Sequence, residues 1–163
     1  MTLGELNRLD NGDARAEFLR CCGSTRWAAA MTAARPFENI GAMQARGDEI
    51  WCSLSPSDWL EAFAAHPKIG DRRAVSVWSA GEQAGMQSAA DDVRSRIERL
   101  NGEYETRFGY IFIVCATGKA PGEMLALLEA RMANQPDIEL PLAAEEQRKI
   151  TALRLAKLVD QQT

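Results

Sequence analysis

Apolar positions along this chain recur mostly at intervals of three and four, separated by charged and small polar residues. That is the period of an α-helix with one buried face. The longest such run covers about Ser88 to Phe108, where Val93, Ile97, Leu100 and Tyr104 follow one another at four, three and four. Asp91, Asp92, Arg94, Arg96, Glu98 and Arg99 mostly fall away from that stripe, on a solvated face, and Gly109 ends the helix.

Start and stop signals divide the rest. Thr2-x-x-Glu5 is a capping box that opens a short first helix through Leu9. Asn11-Gly12 is a turn signal, and Ala14 to Cys22 reads as a second helix stopped by Gly23. Ser24 caps a third, Thr25 to Arg35, ending before Pro36, with Trp27 as its large anchor among alanines. Glu38 to Leu54 is a fourth, weakened at Gly47 by about 1 kcal/mol relative to alanine. Ser55-Pro56-Ser57-Asp58 starts a fifth, which runs to Ala65 with Trp59, Leu60 and Phe63 as its buried stripe. Ser79-x-x-Glu82 starts another. Pro121 opens a helix to about Asn134, Pro136 breaks it, and the last runs from about Pro141 to Asp160.

One stretch breaks the pattern. Tyr110 to Cys115, YIFIVC, is continuously apolar. Its propensity suits a strand, but a lone strand leaves its backbone groups unpaired. It is therefore read as a buried extended or helical segment within an α-helical protein. No repeat, low-complexity segment or linker is visible. The expectation is an all-α, single-domain helical bundle of about seven to nine helices spanning residues 1–163.

Composition narrows the class. The 163 residues are 46% hydrophobic and 26% charged, with a net charge of -4, as in a soluble globular domain. No basic tract points to nucleic acid, and no apolar run reaches the length of a membrane span. The stretch from Met1 to Asp13 is polar and unlike a signal peptide. Cys21, Cys22, Cys52 and Cys115 form no C-x-x-C pair, so neither a disulfide framework nor a zinc ribbon is expected, and a reducing cytoplasm is the default. With one histidine, His-rich zinc sites are excluded.

That histidine, His66, stands where a helical pattern stops, in His66-Pro67-Lys68-Ile69-Gly70-Asp71. Pro67 pushes it out of the α region, and Gly70 permits a sharp turn. A rigid, irregular backbone suits a proton-transferring side chain that must be aimed. It equally suits a histidine that merely ends a helix. Ser79, Glu82 and Gln83 divide in the same way: a capping box, or a helix N-terminus offering N–H groups to an anionic ligand beside polar side chains. Arg154 falls between Ile150 and Leu158 on a helical wheel. It either lays its stem over apolar surface with its head in water, or is buried and requires an anion. The backbone at the end of the apolar run either lines a pocket or is plain core.

Taken together, HPKIGD (His66 to Asp71), S-x-x-E-Q (Ser79 to Gln83), N-x-x-Y-x-x-R-F-G-Y (Asn101 to Tyr110) and I-x-x-x-R-L (Ile150 to Leu155) resemble the 2-oxo-4-hydroxy-4-carboxy-5-ureidoimidazoline (OHCU) decarboxylases. Arg35-Pro36-Phe37 adds to the likeness, which covers nearly the whole chain but is poor before Trp27. The resemblance implies an all-α carboxy-lyase of urate degradation that yields (S)-allantoin without a cofactor or metal. It implies His66, Glu82 and Arg154 as catalytic-site residues, the arginine binding substrate. Pro67, Ser79, Gln83 and the backbone of Ile113, Val114, Cys115 and Ala116 fall on substrate contacts. Family members are often homodimers, so a homodimer is an expectation here.

The chemistry agrees with those residue types. Loss of CO₂ leaves an electron pair that a neighbouring C=N bond of the substrate accepts, so the protein needs only to orient the ring and manage protons. Because the chain is net negative, a local cation must hold an anionic substrate. The rival readings are a non-catalytic helical interaction module and a different cofactor-free lyase or hydrolase of ureido compounds. A metalloenzyme is more distant.

Overall fold

The computed structural model describes residues 1–67 and 91–159, and among these every regular element is an α-helix. There are eight: α1 (Leu3–Arg8), α2 (Asn11–Cys21), α3 (Thr25–Ala33), α4 (Ile40–Ser53), α5 (Pro56–Ala64), α6 (Asp91–Phe108), α7 (Pro121–Met132) and α8 (Pro136–Leu158). The chain divides into two compact units, one of Met1–Ala65 with Gln147–Thr163, the other of His66–Glu146. No described helix is long and apolar enough to cross a membrane.

Short polar side chains start the helices. Thr2 Oγ1 accepts from the Glu5 amide at 3.1 Å while Glu5 Oε2 accepts from the Thr2 amide at 2.7 Å, completing the capping box. That amide also holds the Glu5 carboxyl below its ordinary pKa. Ser24 Oγ accepts from the Trp27 amide, and Asn39 Oδ1 from the Ala42 amide, so α4 begins at Ile40 rather than Glu38. Two boundaries differ further from expectation. Asn11-Gly12 is not a free turn but the first turn of α2, because Asp10 Oδ1 caps the Asp13 amide at 2.8 Å. Pro136 opens the last helix rather than separating it from α7. It is the first residue of α8, where a missing N–H is harmless, and Pro141 lies inside the helix.

The first unit is organised by aromatic side chains. Phe18, Trp27, Met31, Met43 and Phe63 are fully buried. α2 and α4 both pack on α3. The Phe18 ring meets Trp27 edge-on at 6.1 Å and Phe37 at 6.3 Å. Trp27 Nε1 donates to the Gly47 carbonyl at 3.0 Å, so the helix-weakening glycine lies under an indole. Leu60, expected in the buried stripe of α5, is instead exposed, while Ala62 and Phe63 are buried. Each buried large side chain contributes roughly 1.5–3 kcal/mol. An exposed pair such as Arg46–Glu49 adds about 0–1 kcal/mol. Apolar burial therefore decides the stability of this unit.

Arg35-Pro36-Phe37, between α3 and α4, is tied by hydrogen bonds to α1. The Arg35 guanidinium donates to the carbonyls of Leu6 and Leu9, both at 2.8 Å, and so satisfies the end of α1. Asn7 exchanges two hydrogen bonds of 2.9 Å with the Phe37 backbone. This motif of the family resemblance has an architectural role.

In the second unit α6 packs on α7. Ile97, Tyr104, Phe112, Val114, Met124, Leu125 and Leu128 form its core. Gly109 and Gly118 adopt positive φ, 85° and 78°, where the chain leaves α6 and again before α7. Between them the apolar run is neither helix nor strand, and no strand partners it among the described residues.

Candidate active site

His66 follows directly on α5. The helix starts at Ser55, whose amide and hydroxyl both donate to Asp58 Oδ2, with Pro56 at its first position. It closes at Ala65. The chain is thereby delivered to a half-buried His66 and a half-buried Pro67. A partly covered imidazole is sheltered yet reachable, as proton transfer to a small molecule requires. Ser79, Glu82 and Gln83 lie outside the described residues.

Arg154 does not keep its head in water: it is 7% exposed. It lies on α8 with Gln147 and Thr151, both also buried, and Gln147 Nε2 donates to Thr151 Oγ1 at 2.9 Å. Its charge acts on the buried Cys21 and Cys22 thiols at the end of α2. Burial pushes Cys21 up to about 12 and Cys22 up to about 11, against the opposing pull of the guanidinium. At neutral pH these are thiols rather than thiolates, so they supply no anion to Arg154.

Ile113, Val114 and Cys115 are buried and Ala116 half-buried. Where a sheet would supply backbone partners, side chains do so here. An Arg131 guanidinium N–H donates to the Ile113 carbonyl. Glu146 Oε1 accepts from the Cys115 amide at 3.2 Å, and Lys119 Nζ donates to the Cys115 carbonyl at 2.7 Å. The Lys119 amide donates to the Ala116 carbonyl at 3.0 Å. The Val114 amide takes part in none of these bonds.

Arg131 belongs to a buried polar chain that sequence reasoning missed. Its Nε donates to Glu139 Oε1 at 2.7 Å, and its guanidinium carbon lies 4.6 Å from the centre of the Phe112 ring. Tyr104 donates its hydroxyl to the same Glu139 oxygen, and Asn134 Nδ2 donates to Oε2 at 2.9 Å. Burial first, and the Glu139 hydrogen bond second, raise the Tyr104 pKa well above its ordinary value. One signal for Arg131 was in the sequence. It follows Met124 and Leu128 at seven and three, a charge on the apolar stripe of its helix. Among the described residues no group of three or more His, Cys, Asp and Glu is placed to hold a metal ion.

A sequence model described as OHCU decarboxylase matches residues 7–156. The chain belongs to the OHCU decarboxylase family. Among its relatives, the uric acid degradation bifunctional protein of Arabidopsis thaliana is 40% identical over 149 residues, which is 87% of this chain and 46% of that protein. The chain thus spans less than half the length of that relative. The 2-oxo-4-hydroxy-4-carboxy-5-ureidoimidazoline decarboxylase of Amia calva is 34% identical over 138 residues, 81% of this chain and 79% of its own. A crystal structure of OHCU decarboxylase in the presence of (S)-allantoin matches with a TM-score of 0.79 at 38% identity. That match covers 87% of this chain and 96% of the other. The OHCU decarboxylase family is therefore established at the level of both sequence and fold, and the all-helical expectation holds for the described residues.

Proposed function

We propose that this chain is a carboxy-lyase of urate degradation that converts OHCU to (S)-allantoin without a cofactor. The observation that carries the reading is the family match over residues 7–156, within which the chain's one histidine stands at the end of α5 in HPKIGD. The same span supports treating the chain as one domain of that family.

The substrate bears its carboxylate and a hydroxyl on one ring carbon. Breaking the bond to the carboxylate releases CO₂ and sends the electron pair into the adjacent C=N bond, whose nitrogen takes up a proton. The hydroxyl then loses its proton as the ring carbonyl forms, and the neighbouring carbon gains one. His66 is the acid/base for these transfers. Delivery of the carbon-bound proton from one face gives a single enantiomer. Glu82 orients His66 and the substrate N–H groups. Arg154 holds an anionic part of the substrate with a planar fork suited to a carboxylate, and its burial supports that role. Pro67, Ser79 and Gln83 contact the ring, as does the backbone of Ile113, Val114, Cys115 and Ala116.

The enzyme works in the cytoplasm as a homodimer. All four cysteines are free thiols, the state that a reducing compartment maintains.

The test supplies freshly generated urate-oxidation intermediate and follows CO₂ release together with the circular dichroism of allantoin. Rapid formation of the S enantiomer is expected. A rate and optical signal equal to those of buffer overturn the reading.

A further inference from the structure

The chain of hydrogen bonds running from Tyr104 through Glu139 and Arg131 ends on a backbone carbonyl rather than on solvent. We propose that Arg131, held by Glu139 and Tyr104, is a positioning residue that aims the Val114 amide at the substrate. This inference rests on the activity proposed above and on the contact assigned there to Ile113–Ala116.

The peptide unit is the reason. The Ile113 carbonyl and the Val114 N–H belong to one planar group and point in opposite directions. Fixing the carbonyl fixes the amide. In a sheet a neighbouring strand would do this, but among the described residues no strand lies beside the apolar run. Arg131 takes the Ile113 carbonyl with one arm of its guanidinium and Glu139 with another. The fork is planar, so the orientation of one bond constrains the other. The Phe112 ring beneath the guanidinium limits its tilt.

The anchor is itself anchored. Glu139 is fully buried, and each of its oxygens is held: Oε1 by Arg131 and the Tyr104 hydroxyl, Oε2 by Asn134. α6, α7 and α8 thus converge on one carboxylate. On the far side of Val114, Glu146 and Lys119 fix the Cys115 amide and carbonyl. With the peptide groups on both sides of Val114 held, its N–H remains for a ligand. A buried donor of that kind calls for an acceptor, which a carbonyl or carboxylate of the substrate provides.

Steady-state kinetics of Arg131→Lys test the proposal. Lysine keeps the charge against Glu139 but lacks the fork. The expected result is a KM raised about five- to tenfold with kcat nearly unchanged, the loss of one oriented hydrogen bond made alike in ground and transition states. (S)-Allantoin binding should weaken in parallel. A merely structural role would lower the active fraction, and so apparent kcat, while leaving KM where it was. Tyr104→Phe removes one hydroxyl from the far end of the chain and carries the same test, with a smaller rise in KM, should Arg131→Lys not fold. Wild-type turnover with unaltered KM in the folded variant overturns this inference alone. Absence of wild-type turnover overturns the proposed activity and this inference with it.

Discussion

Arg131 and Glu139, eight positions apart near the end of α7 and the start of α8, form an ion pair whose side chains are 10% and 0% exposed. Removing one member leaves the other charge buried without its counter-ion. Glu139→Leu should therefore destabilise the fold by about 3–5 kcal/mol, whereas adding Arg131→Met should recover much of that loss. Recovery stays incomplete because Tyr104 and Asn134 also lose their acceptor. Urea unfolding of the two single variants and the double variant measures the coupling.

Two glycines of the first unit should answer alanine in opposite ways. A Cβ at Gly23 would stand 2.4 Å from the Ala65 Cβ, closer than two carbons can approach. Gly23→Ala should lose about 1–3 kcal/mol. Ala65→Gly in the same chain should restore it. Because Ala65 immediately precedes His66, kcat should fall along with stability. A Cβ at Gly47 would meet Leu155 and Trp27 at 3.4 Å, ordinary contact, in mid-helix. Gly47→Ala should gain up to about 1 kcal/mol in helix propensity. Thermal melts of the variants decide both.

The thiols set a pH dependence. Cys21 and Cys22 are raised from 9.0 to about 12 and about 11 in the folded state. Unfolded chains release these protons near pH 9 while folded chains retain them. Their contribution is therefore complete below that pH and is lost progressively as pH rises toward 11–12. Tyr104 and Tyr110, both also raised by burial, act in the same sense. The urea midpoint should hold to about pH 9 and then fall, and Cys21→Ala with Cys22→Ala should lessen the fall. At neutral pH an aromatic disulfide reagent should titrate one thiol rapidly, the exposed Cys52, and all four after unfolding.

His66→Asn should lower kcat by about 10²–10⁴-fold with an unchanged far-ultraviolet spectrum. Arg154→Ala should mainly raise KM if the guanidinium binds ground and transition states alike. Steady-state kinetics on fresh intermediate measure both, and near-normal activity in His66→Asn would remove the acid/base assignment.

The helical fold was legible because most buried residues announce themselves by period. Val93, Ile97, Leu100 and Tyr104 needed only spacing, and Thr2, Ser24 and Ser55 marked helix starts by chemistry. Asn11-Gly12 and Pro136 misled because their meaning depends on the preceding residue. An Asp10 that caps turns a turn signal into a first helical turn, and a proline at the first helical position opens what it would otherwise break. His66 was legible as a singular residue at a helix end. Glu139 was not, because a lone carboxylate near a proline carries no sign of the tyrosine, arginine and asparagine that close on it. Those partners lie on two helices and the turn after the second, and only folding gathers them. The burial of Arg154 was likewise undecided at a wheel position between apolar neighbours.

The apolar run Tyr110–Cys115 has one more consequence. Six residues without charge or proline, rich in aromatic and β-branched side chains, make a strong candidate for pairing between molecules into cross-β assemblies. In the folded chain the latches occupy three of the groups such pairing would use, the Ile113 carbonyl and the Cys115 amide and carbonyl. Damage to those latches should therefore surface first as insolubility during expression, before any deficit is measured in a cuvette.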